Sequence, residues 1–222
     1  FVYQYGNGMM EEALEMTDAV RQRGLEVTID SGMYAHWATG IGSAIFDEAL
    51  ATNGDEMLFD IVACTGEHKG QHLDIRLYRH MREFHKEDSA ICFVGLEDEI
   101  IPPLLKDYAM PSSDTGAYRP GEGHPQTSGS FARFFRVLAR EQGLLSWQEA
   151  VKKASWLPAR VVGLKGKGSL SRGSDADLVI FDKGLYCDTA DYLGYGQPDT
   201  PPVGVECVLV NGKVAVEGQR VV

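Results

Sequence analysis

The chain has 222 residues, of which 44% are hydrophobic, and a formal net charge of −11 from 32 acidic and 21 basic residues. This acidic balance argues against nucleic acids and anionic membrane surfaces as partners, because binding to either usually depends on Lys and Arg. No apolar run approaches the roughly 20 residues that a membrane-spanning helix needs. The composition therefore indicates a globular protein of one or two domains.

The start of the chain and its cysteines give two further expectations. The sequence begins Phe-Val-Tyr-Gln-Tyr without an initiator Met, so we expect it to be a piece of a longer polypeptide. The four cysteines, at positions 64, 92, 187 and 207, form no CxxC pair. We interpret them as free thiols of a cytoplasmic protein, since disulfides are rare in that reducing compartment.

The first half of the chain alternates predicted helices and strands. A helix is expected from Met9 to about Arg23, with Gly24 ending it and a buried strand following over 25–30. We further predict a loop over 31–47, a strand and loop over 57–66, a helix from about Leu73 to 86, strands over 90–96 and 108–114, and a short helix over 98–105. Such alternation indicates an α/β architecture.

The second half is predicted to be helical and then β. A helix from Ser130 carries an apolar stripe at 131, 134, 135 and 138 that we expect in the core. Ser146 and Glu149 form a capping box for the next helix, and Pro158 opens a short helix that ends at Gly163. Strands are predicted over 175–182 and 205–218, with Asn211-Gly212 as a hairpin turn.

This order of elements predicts part of a (β/α) barrel over 1–165, followed by part of a small β domain over 166–222. Three or four barrel strands cannot close a barrel of eight. Their open edges invite pairing, so we expect either missing upstream strands or a second copy of the chain to cover them.

The strongest candidate for chemistry is an acid at the end of a predicted strand. Asp114 ends the apolar segment Met110-Pro-Ser-Ser-Asp, and a glycine-rich loop with His124-Pro125 follows. Catalytic groups of barrel enzymes lie at the carboxyl ends of the strands, where a carboxylate can hold a metal and accept a proton from water. From spacing alone, a turn-capping role for Asp114 is the commoner interpretation.

Several short motifs of the chain are similar to those of a known family. They are Ser113-Asp114, His124-Pro125, Gly129-Ser-Phe131, Leu157-Pro158-Ala159, Gly163-Leu164, Ala176-Asp177-Leu178-Val179 with Phe181-Asp182, and Val210-Asn211-Gly212. With them, the chain resembles the C-terminal part of the N-acyl-D-amino-acid deacylases (D-aminoacylases) of the amidohydrolase superfamily. The likeness extends, more weakly, to Asp30-Ser-Gly-Met-Tyr34, which is similar to the family's sixth-strand region.

The resemblance implies a fold, a cofactor and roles for individual residues. The fold would be a partial metal-dependent-hydrolase (TIM-type β/α) barrel followed by a small β-sandwich segment, and the cofactor one or two zinc ions. Asp114 would be both a metal ligand and the base that activates water. His124 would help to hold the substrate or the developing oxyanion. Ser113 and Tyr34 are further candidates for substrate binding.

The chain also departs from the family pattern. The family's first-strand His-x-His pair and fifth-strand His are absent, and we expect them before Phe1. Gln126 stands where the family usually has Arg, Thr115 precedes the glycine after Asp114, and Gly32-Met33-Tyr34 replaces a Tyr-Pro-Tyr segment. These departures bear on the substrate more than on the reaction.

The remaining histidines are weaker candidates. His68 and His72 have a spacing that can hold a metal on a helix, but Gly70 separates them and the segment matches no metal position of the family. We predict a surface or substrate-loop role for this pair, and solvated side chains for His80 and His85. His36 either lines a pocket or packs at the base of its loop.

The predicted activity is metal-dependent hydrolysis of a linear amide, most simply the deacylation of N-acyl-D-amino acids. The partners would be a small N-acyl amino acid substrate and either a second copy of the chain or the remainder of the barrel. With a single expected metal ligand, the chain alone is predicted to be nearly inactive. Two alternatives stay open: a cyclic-amide hydrolase of the dihydroorotase or hydantoinase type, and a non-catalytic module that keeps the fold.

Overall fold

The computed structural model describes residues 8–222. The opening Phe-Val-Tyr-Gln-Tyr segment, and with it the start of the predicted barrel portion, lies outside the described residues. The helices are α1 (Met10–Gln22), α2 (Ala44–Asn53), α3 (Ile75–Phe84), α4 (Ile101–Leu105), α5 (Gln126–Phe134), α6 (Trp147–Val151) and α7 (Leu157–Val161). The strands are β1 (Ile29–Ser31), β2 (Trp37–Gly40), β3 (Ile61–Ala63), β4 (Ser89–Cys92), β5 (Ala109–Pro111), β6 (Leu178–Phe181), β7 (Val205–Val210), β8 (Lys213–Glu217) and β9 (Arg220–Val221).

Two distant strands form a parallel pair. β1 lies beside β5, with Ile29 opposite Ala109 and Ser31 opposite Pro111. Helix α1 ends within a residue of the predicted position, and Gly24 follows it at φ +88°, a conformation that glycine adopts without strain. An ion pair of 2.7 Å between Asp18 and Lys106 ties α1 to the segment just before β5.

The predicted strands over 57–66 and 90–96 do not continue this parallel sheet. β3 and β4 pair antiparallel, and β2 pairs antiparallel with the other edge of β4, giving the order β2-β4-β3. β2 and the start of α2 occupy the segment 31–47, which was expected to be a loop. The expectation of three or four barrel strands is therefore wrong for this region, because an apolar run does not reveal the direction in which a strand pairs.

Residues 37–92, which we call the antiparallel unit, have a core of their own. Its buried apolar side chains come from the three strands, from α2 and α3 and from the segments between them, and include Trp37, Phe46, Leu58, Ile61 and Met81. This core is separate from a second one that surrounds α5 and α6. The antiparallel unit is thus inserted in the chain between the two parallel strands β1 and β5.

The second core combines aliphatic and aromatic side chains. Phe134, Phe135 and Leu138 are buried as expected, and Trp147 stacks on Phe135 at a centroid distance of 5.8 Å. Phe131, however, is 41% exposed. The first turns of α5 instead turn small residues towards the interior, including Gly129 and Ala132, so this part of the predicted core stripe is wrong.

The helix predicted from Ser130 begins earlier, at Gln126, and it contains wide turns. α5 continues through a π-helical segment, Phe135–Glu141, and a second π-helical segment, Lys152–Trp156, joins α6 to α7. The predicted capping box is confirmed, since Ser146 Oγ accepts a hydrogen bond from the Glu149 N–H while the Glu149 carboxylate accepts one from the Ser146 N–H. Pro158 lies in the first turn of α7, as predicted.

The end of the chain forms a four-stranded antiparallel sheet in the order β6-β7-β8-β9. The hairpin between β7 and β8 turns at Asn211 (φ +49°) and Gly212 (φ +77°), as the sequence predicts. From β6, Phe181 packs against the second core, where its ring lies 5.8 Å from Phe135. The division at residues 165 and 166 stays a prediction.

These elements make the described part of the chain a mixed α/β structure, which confirms the predicted class. All four cysteines are free thiols. Burial raises the pKa of Cys64 and of Cys92 to about 12, so neither is a reactive thiolate. No helix within residues 8–222 is both long and apolar enough to cross a membrane.

Candidate active site

The candidate site begins where β1 and β5 end. The two strands are parallel neighbours, so the segments that follow them leave the same edge of the sheet. Tyr34 lies three residues beyond β1, and Asp114 lies three residues beyond β5. The Ser112 N–H donates to the Ser31 carbonyl at 2.9 Å, which extends the strand pairing by one residue. The structure therefore gathers both sequence candidates at one edge.

Asp114 is an exposed carboxylate on an unusual backbone. Its φ is +41°, in the left-handed region that few residues other than Gly, Asn and Asp adopt. Its N–H donates to Ser112 Oγ at 3.3 Å, and its carbonyl accepts a hydrogen bond from the Gln126 side chain. The backbone is thus held in place while the carboxylate faces solvent, where it is available to a metal or to water.

Gln126 joins the two halves of the predicted motif. Its side chain donates to the Asp114 carbonyl, and its backbone N–H donates to His124 Nδ1 at 3.1 Å. Gln126 is itself buried. The glutamine that departs from the family pattern therefore fixes the loop that carries Asp114, a role that the sequence comparison did not identify.

His124 lies in the interior rather than on a surface. Its side chain is fully buried, and its Nε2 lies 2.8 Å from the His36 carbonyl. Because Nδ1 accepts from Gln126, the ring proton must be on Nε2, which donates to that carbonyl. Burial lowers the pKa of His124 to about 3, so the ring stays neutral at physiological pH. Both nitrogens are engaged by the backbone, and contact between this ring and substrate stays a prediction.

Tyr34 packs directly against His124. The two rings meet edge to face at 5.6 Å, and the Arg133 guanidinium lies 4.6 Å above the tyrosine ring. Burial raises the pKa of Tyr34 to about 12, and the charge of Asp188 adds to the rise. A Cβ placed on Gly129 would come within 2.1 Å of the Tyr34 hydroxyl, so any larger residue at this position of α5 would displace the tyrosine.

Other aromatic rings extend this cluster beyond the predicted residues. Tyr192 lies 5.1 Å from His124 and 5.5 Å from His36, and Phe93 contacts both Tyr192 and His36. Burial lowers the pKa of His36, and its Nδ1 is enclosed without a hydrogen-bond partner in the described part of the chain. Tyr192 was missed because it comes from a distant loop in which no periodicity or motif marks it.

Ser113 lies between these groups and is half-buried. The serine that hydrogen bonds to the Asp114 backbone is its neighbour Ser112. Substrate binding by Ser113 stays a prediction.

Asp114 has few potential metal ligands around it. Within residues 8–222, three or more His, Cys, Asp or Glu side chains converge at one place only, formed by Glu67, His68, His80 and His85. Asp114 is not part of that group. A metal at Asp114 would therefore need further ligands from beyond the described residues.

His68 and His72 are not partners of each other. The segment between them is not helical, and the His72 ring stacks on Phe59 at 4.8 Å while its Nδ1 lies 2.7 Å from the Phe59 carbonyl. His68 instead approaches His80 and His85. The expectation that His80 and His85 are merely solvated is wrong for His85, which is half-buried among charged neighbours.

The similarity of this chain to known proteins includes the segment that carries Asp114 and His124. A family model described as the amidohydrolase family matches residues 112–216. Over 123 residues the chain is 39% identical to the N-acyl-D-glutamate deacylase of Alcaligenes xylosoxydans xylosoxydans, covering 55% of this chain and 24% of that relative. It is 30% identical over 101 residues to the dihydroorotase of Lactobacillus gasseri, covering 44% of this chain and 24% of that relative. The matched part of the chain thus spans about a quarter of the length of these relatives.

A solved structure extends the likeness to nearly the whole chain. The N-acyl-D-glutamate deacylase of Bordetella bronchiseptica, crystallised with zinc and a phosphonate inhibitor, superimposes with a TM-score of 0.77 at 27% sequence identity. The match covers 94% of this chain and 44% of that protein. The sequence identity and the structural superposition agree: the chain resembles part of an amidohydrolase of the N-acyl-D-amino-acid deacylase type.

Proposed function

We propose that this chain contributes to a metal-dependent hydrolase of linear amides that removes the acyl group from N-acyl-D-amino acids. The observation that carries the proposal is the placement of Asp114. Its exposed carboxylate stands at the carboxyl edge of the parallel pair β1 and β5, on a backbone fixed by Ser112 and Gln126. That is the edge at which barrel enzymes hold their catalytic groups.

The proposal includes the architecture around this edge. β1 and β5 would be neighbouring strands of a TIM-type barrel within residues 1–165, interrupted by the antiparallel unit. The sheet β6–β9 would belong to a small β-sandwich within residues 166–222. The barrel is the part that carries chemistry, because its loops converge on Asp114, whereas the β domain supports it through contacts such as that of Phe181 with Phe135.

One metal ligand of the proposed site is present in this chain. Asp114 offers an exposed carboxylate oxygen, a donor that zinc accepts, and the remaining ligands would come from other residues of the complete protein. When bound, one or two zinc ions supply a Lewis acid that polarises the amide carbonyl and acidifies water. A single carboxylate cannot hold a catalytic zinc ion, which needs about three protein ligands. We therefore expect little or no turnover from the 222-residue chain.

Asp114 is also the proposed general base. Its carboxylate takes a proton from the attacking water, and the same proton passes to the leaving amine nitrogen as the C–N bond breaks. The acyl group leaves as a carboxylate and the amino acid as a free amine. The hydrogen bonds to the Asp114 N–H and carbonyl fix the backbone from which the carboxylate projects.

The neighbouring aromatic residues are proposed to position the substrate. Ser113 lies in the segment after β5 and would contact the substrate directly, whereas Tyr34, after β1, is buried and would position the substrate through the groups packed on its ring. His124 would act through the backbone, since its nitrogens hold the His36 carbonyl and the Gln126 N–H. The substrate is a small molecule, and the assembly is either a homo-oligomer or a barrel completed by further chain. The free cysteines fit a cytoplasmic location.

Cyclic amides are the second candidate substrate class. The observation in their favour is the 30% identity to a dihydroorotase over 101 residues. Ring-opening of a cyclic amide uses the same carboxylate base, and the two classes differ only in whether the amine stays attached to the product. A substrate panel separates them.

The test is hydrolysis by the complete protein with zinc, measured as amine release from N-acyl-D-amino acids and N-acyl-L-amino acids and as ring opening of dihydroorotate-type substrates. Release from D-substrates alone is the expected result. Hydrolysis of rings alone would move the assignment to the second class, and no hydrolysis of any of them would contradict an enzymatic role.

The Asp114→Asn variant tests the base and ligand assignment. Its kcat/KM is expected to fall by at least about 10²-fold, because general-base catalysis alone commonly contributes 10²- to 10⁴-fold. Asp98→Asn is the matched control, since Asp98 is an exposed acid elsewhere on the surface, and it should keep the wild-type rate. Full activity of Asp114→Asn would show that another group is the base.

A further inference from the structure

Four side chains with metal-binding atoms meet on the antiparallel unit, apart from Asp114. Glu67, His68, His80 and His85, which we call the histidine cluster, each place one donor atom within 4.8 Å of the others. We propose that the histidine cluster is a structural binding site for a divalent transition metal of the zinc class. Three imidazoles and one carboxylate suit such ions, whereas calcium and magnesium prefer oxygen ligands.

The ligands come from two elements that the fold brings together. Glu67 and His68 follow β3, just beyond Gly66, while His80 lies near the end of α3 and His85 is the residue after that helix. The carboxyl end of a helix carries partial negative charge and favours a nearby cation. A metal bound here would join the end of α3 to the loop that follows β3.

The distances already approach those of a coordination sphere. His68 Nε2 lies 3.3 Å from Glu67 Oε1, and His85 Nε2 lies 3.1 Å from the same oxygen. Bonds of about 2.0–2.1 Å in a tetrahedron separate neighbouring donors by about 3.3 Å. The widest pair of donors, at most 4.8 Å apart, would reach that separation if side-chain rotations brought the two atoms closer by roughly 1.5 Å in total.

Asp88 supports the geometry from outside the cluster. Its Oδ2 lies 3.5 Å from His85 Nδ1, so the two nitrogens of His85 face a carboxylate on one side and the cluster on the other. A carboxylate behind a histidine ligand is the usual arrangement at zinc sites, since it orients the ring. Gly66 leaves room for it, because a Cβ there would come within 2.1 Å of Asp88 Oδ2.

A second observation concerns His68 alone. Its Nε2 is shielded from solvent and forms no properly oriented hydrogen bond within residues 8–222, although Glu67 is close. A shielded polar atom without a well-oriented hydrogen bond is unfavourable, and a ligand would relieve this. A metal would satisfy this nitrogen.

The site would be structural because four protein ligands leave no open position for substrate. Its loop touches the loop that leads from Asp114 to His124. The Gly123 N–H donates to the Cys64 carbonyl at 2.8 Å, the Gly66 N–H donates to Glu122 at 3.3 Å, and Lys69 Nζ donates to the Gly121 carbonyl at 3.0 Å. Metal binding would therefore stiffen the contact between the antiparallel unit and the candidate active site.

The test is a titration of the metal-free 222-residue chain with cobalt(II), followed by visible absorption. Zinc has a filled d shell and is silent, whereas cobalt(II) bound by three imidazoles and a carboxylate absorbs in the visible region. We expect saturation at one equivalent and displacement of the cobalt by zinc. Affinity should fall as the pH is lowered, because protons compete with the metal for imidazole.

Matched variants assign the ligands. His80→Ala and His85→Ala should each weaken binding at least ten-fold, and Asp88→Asn should weaken it by about 10- to 100-fold, as losses of such outer carboxylates do. His72→Ala is the control, because His72 lies on the same segment but contacts Phe59 instead. Circular dichroism and thermal midpoints of the metal-free variants check that each still folds.

The site and the proposed function can fail separately. Asp114→Asn should leave the cobalt spectrum unchanged, since Asp114 does not belong to the histidine cluster, and no assay of amine release enters the measurement. Absence of a cobalt spectrum in the folded wild type would overturn the site. Equal affinity in wild type, His80→Ala and His85→Ala would overturn it as well.

Discussion

Histidines serve three different purposes in this chain, and the environment of each ring decides which. His124 is fully buried with both nitrogens hydrogen bonded, so it organises backbone. His72 stacks on Phe59 at the surface. His68, His80 and His85 meet beside Glu67, with their nitrogens facing one another. The residue type is the same in each case, but burial and neighbours differ. They make the His124 ring a hydrogen-bonding partner of the backbone and make the rings of His68, His80 and His85 potential metal ligands.

The burial of His124 predicts a pH-dependent stability. Its pKa is about 3 in the folded state against 6.5 for the ordinary group, so between these values the unfolded chain binds a proton that the folded chain does not. The free energy of unfolding should therefore fall as the pH drops from about 6.5 towards 3, by at most about 1.4 kcal/mol per pH unit from this residue. Above pH 6.5 this contribution is constant.

Chemical denaturation at several pH values measures this effect. His124→Gln removes the titrating group, so its stability should depend less steeply on pH over this window than that of the wild type. His72→Gln is the control and should keep the wild-type slope. Equal slopes in all three proteins would mean that His124 is accessible to protons in the folded state.

At the scale of elements, helix termini position the aromatic core. Ser146 begins α6 with a reciprocal capping box, and the next residue, Trp147, stacks on Phe135. By contrast, Ser43 caps α2 with a single hydrogen bond of 3.4 Å to the Ile45 N–H. The stronger cap, at Ser146, thus lies at the start of the helix that also positions the core side chain of Trp147.

Removing these caps should have unequal effects. Ser146→Ala is expected to lower the free energy of unfolding by about 1 kcal/mol, since it leaves the Glu149 N–H without its acceptor and frees the Glu149 side chain. For a chain of this size that is a fall of roughly 2–4 °C in Tm. Ser43→Ala should cost less than half as much. Thermal unfolding of both variants tests the order, and a larger loss for Ser43→Ala would contradict it.

At the scale of the whole molecule, the β6–β9 sheet leaves apolar side chains uncovered. Val179 is 56% exposed and Val210 54%, although both lie in strands and share one face of the sheet. β-Branched residues at strand positions normally pack against another layer. Such a surface on a sheet with open edges favours self-association.

We therefore expect the 222-residue chain to self-associate in a concentration-dependent manner. Val179→Lys should shift light-scattering masses towards the monomer, because it places a charge in the apolar face that Val179 shares with Val210. Leu170→Lys is the matched control: Leu170 is 87% exposed but lies in a loop, so the change should have little effect. Equal masses for wild type and Val179→Lys at every concentration would contradict this role for the sheet.

Local signals in the sequence determined much of this protein. The end of α1 at Gly24, the capping box at Ser146 and the Asn211-Gly212 turn were all predictable, because each depends on residues that are neighbours in the chain. The order of short motifs from Ser113 to Gly212 was likewise enough to indicate the resemblance to the deacylases. Caps, turns and short motifs all depend on residues that are close together in the sequence.

Only the tertiary structure decided how distant segments pair and which side chains meet. The antiparallel direction of β3 and β4 depends on β2, whose small residues resembled a loop. The contact of Tyr192 with Tyr34 and the meeting of His68 with His80 and His85 join segments that no periodicity connects. Burial, too, makes His124 a neutral ring whose nitrogens are held by backbone groups. Local propensity depends on neighbours in the chain, whereas strand direction, burial and ligand clusters depend on neighbours in space.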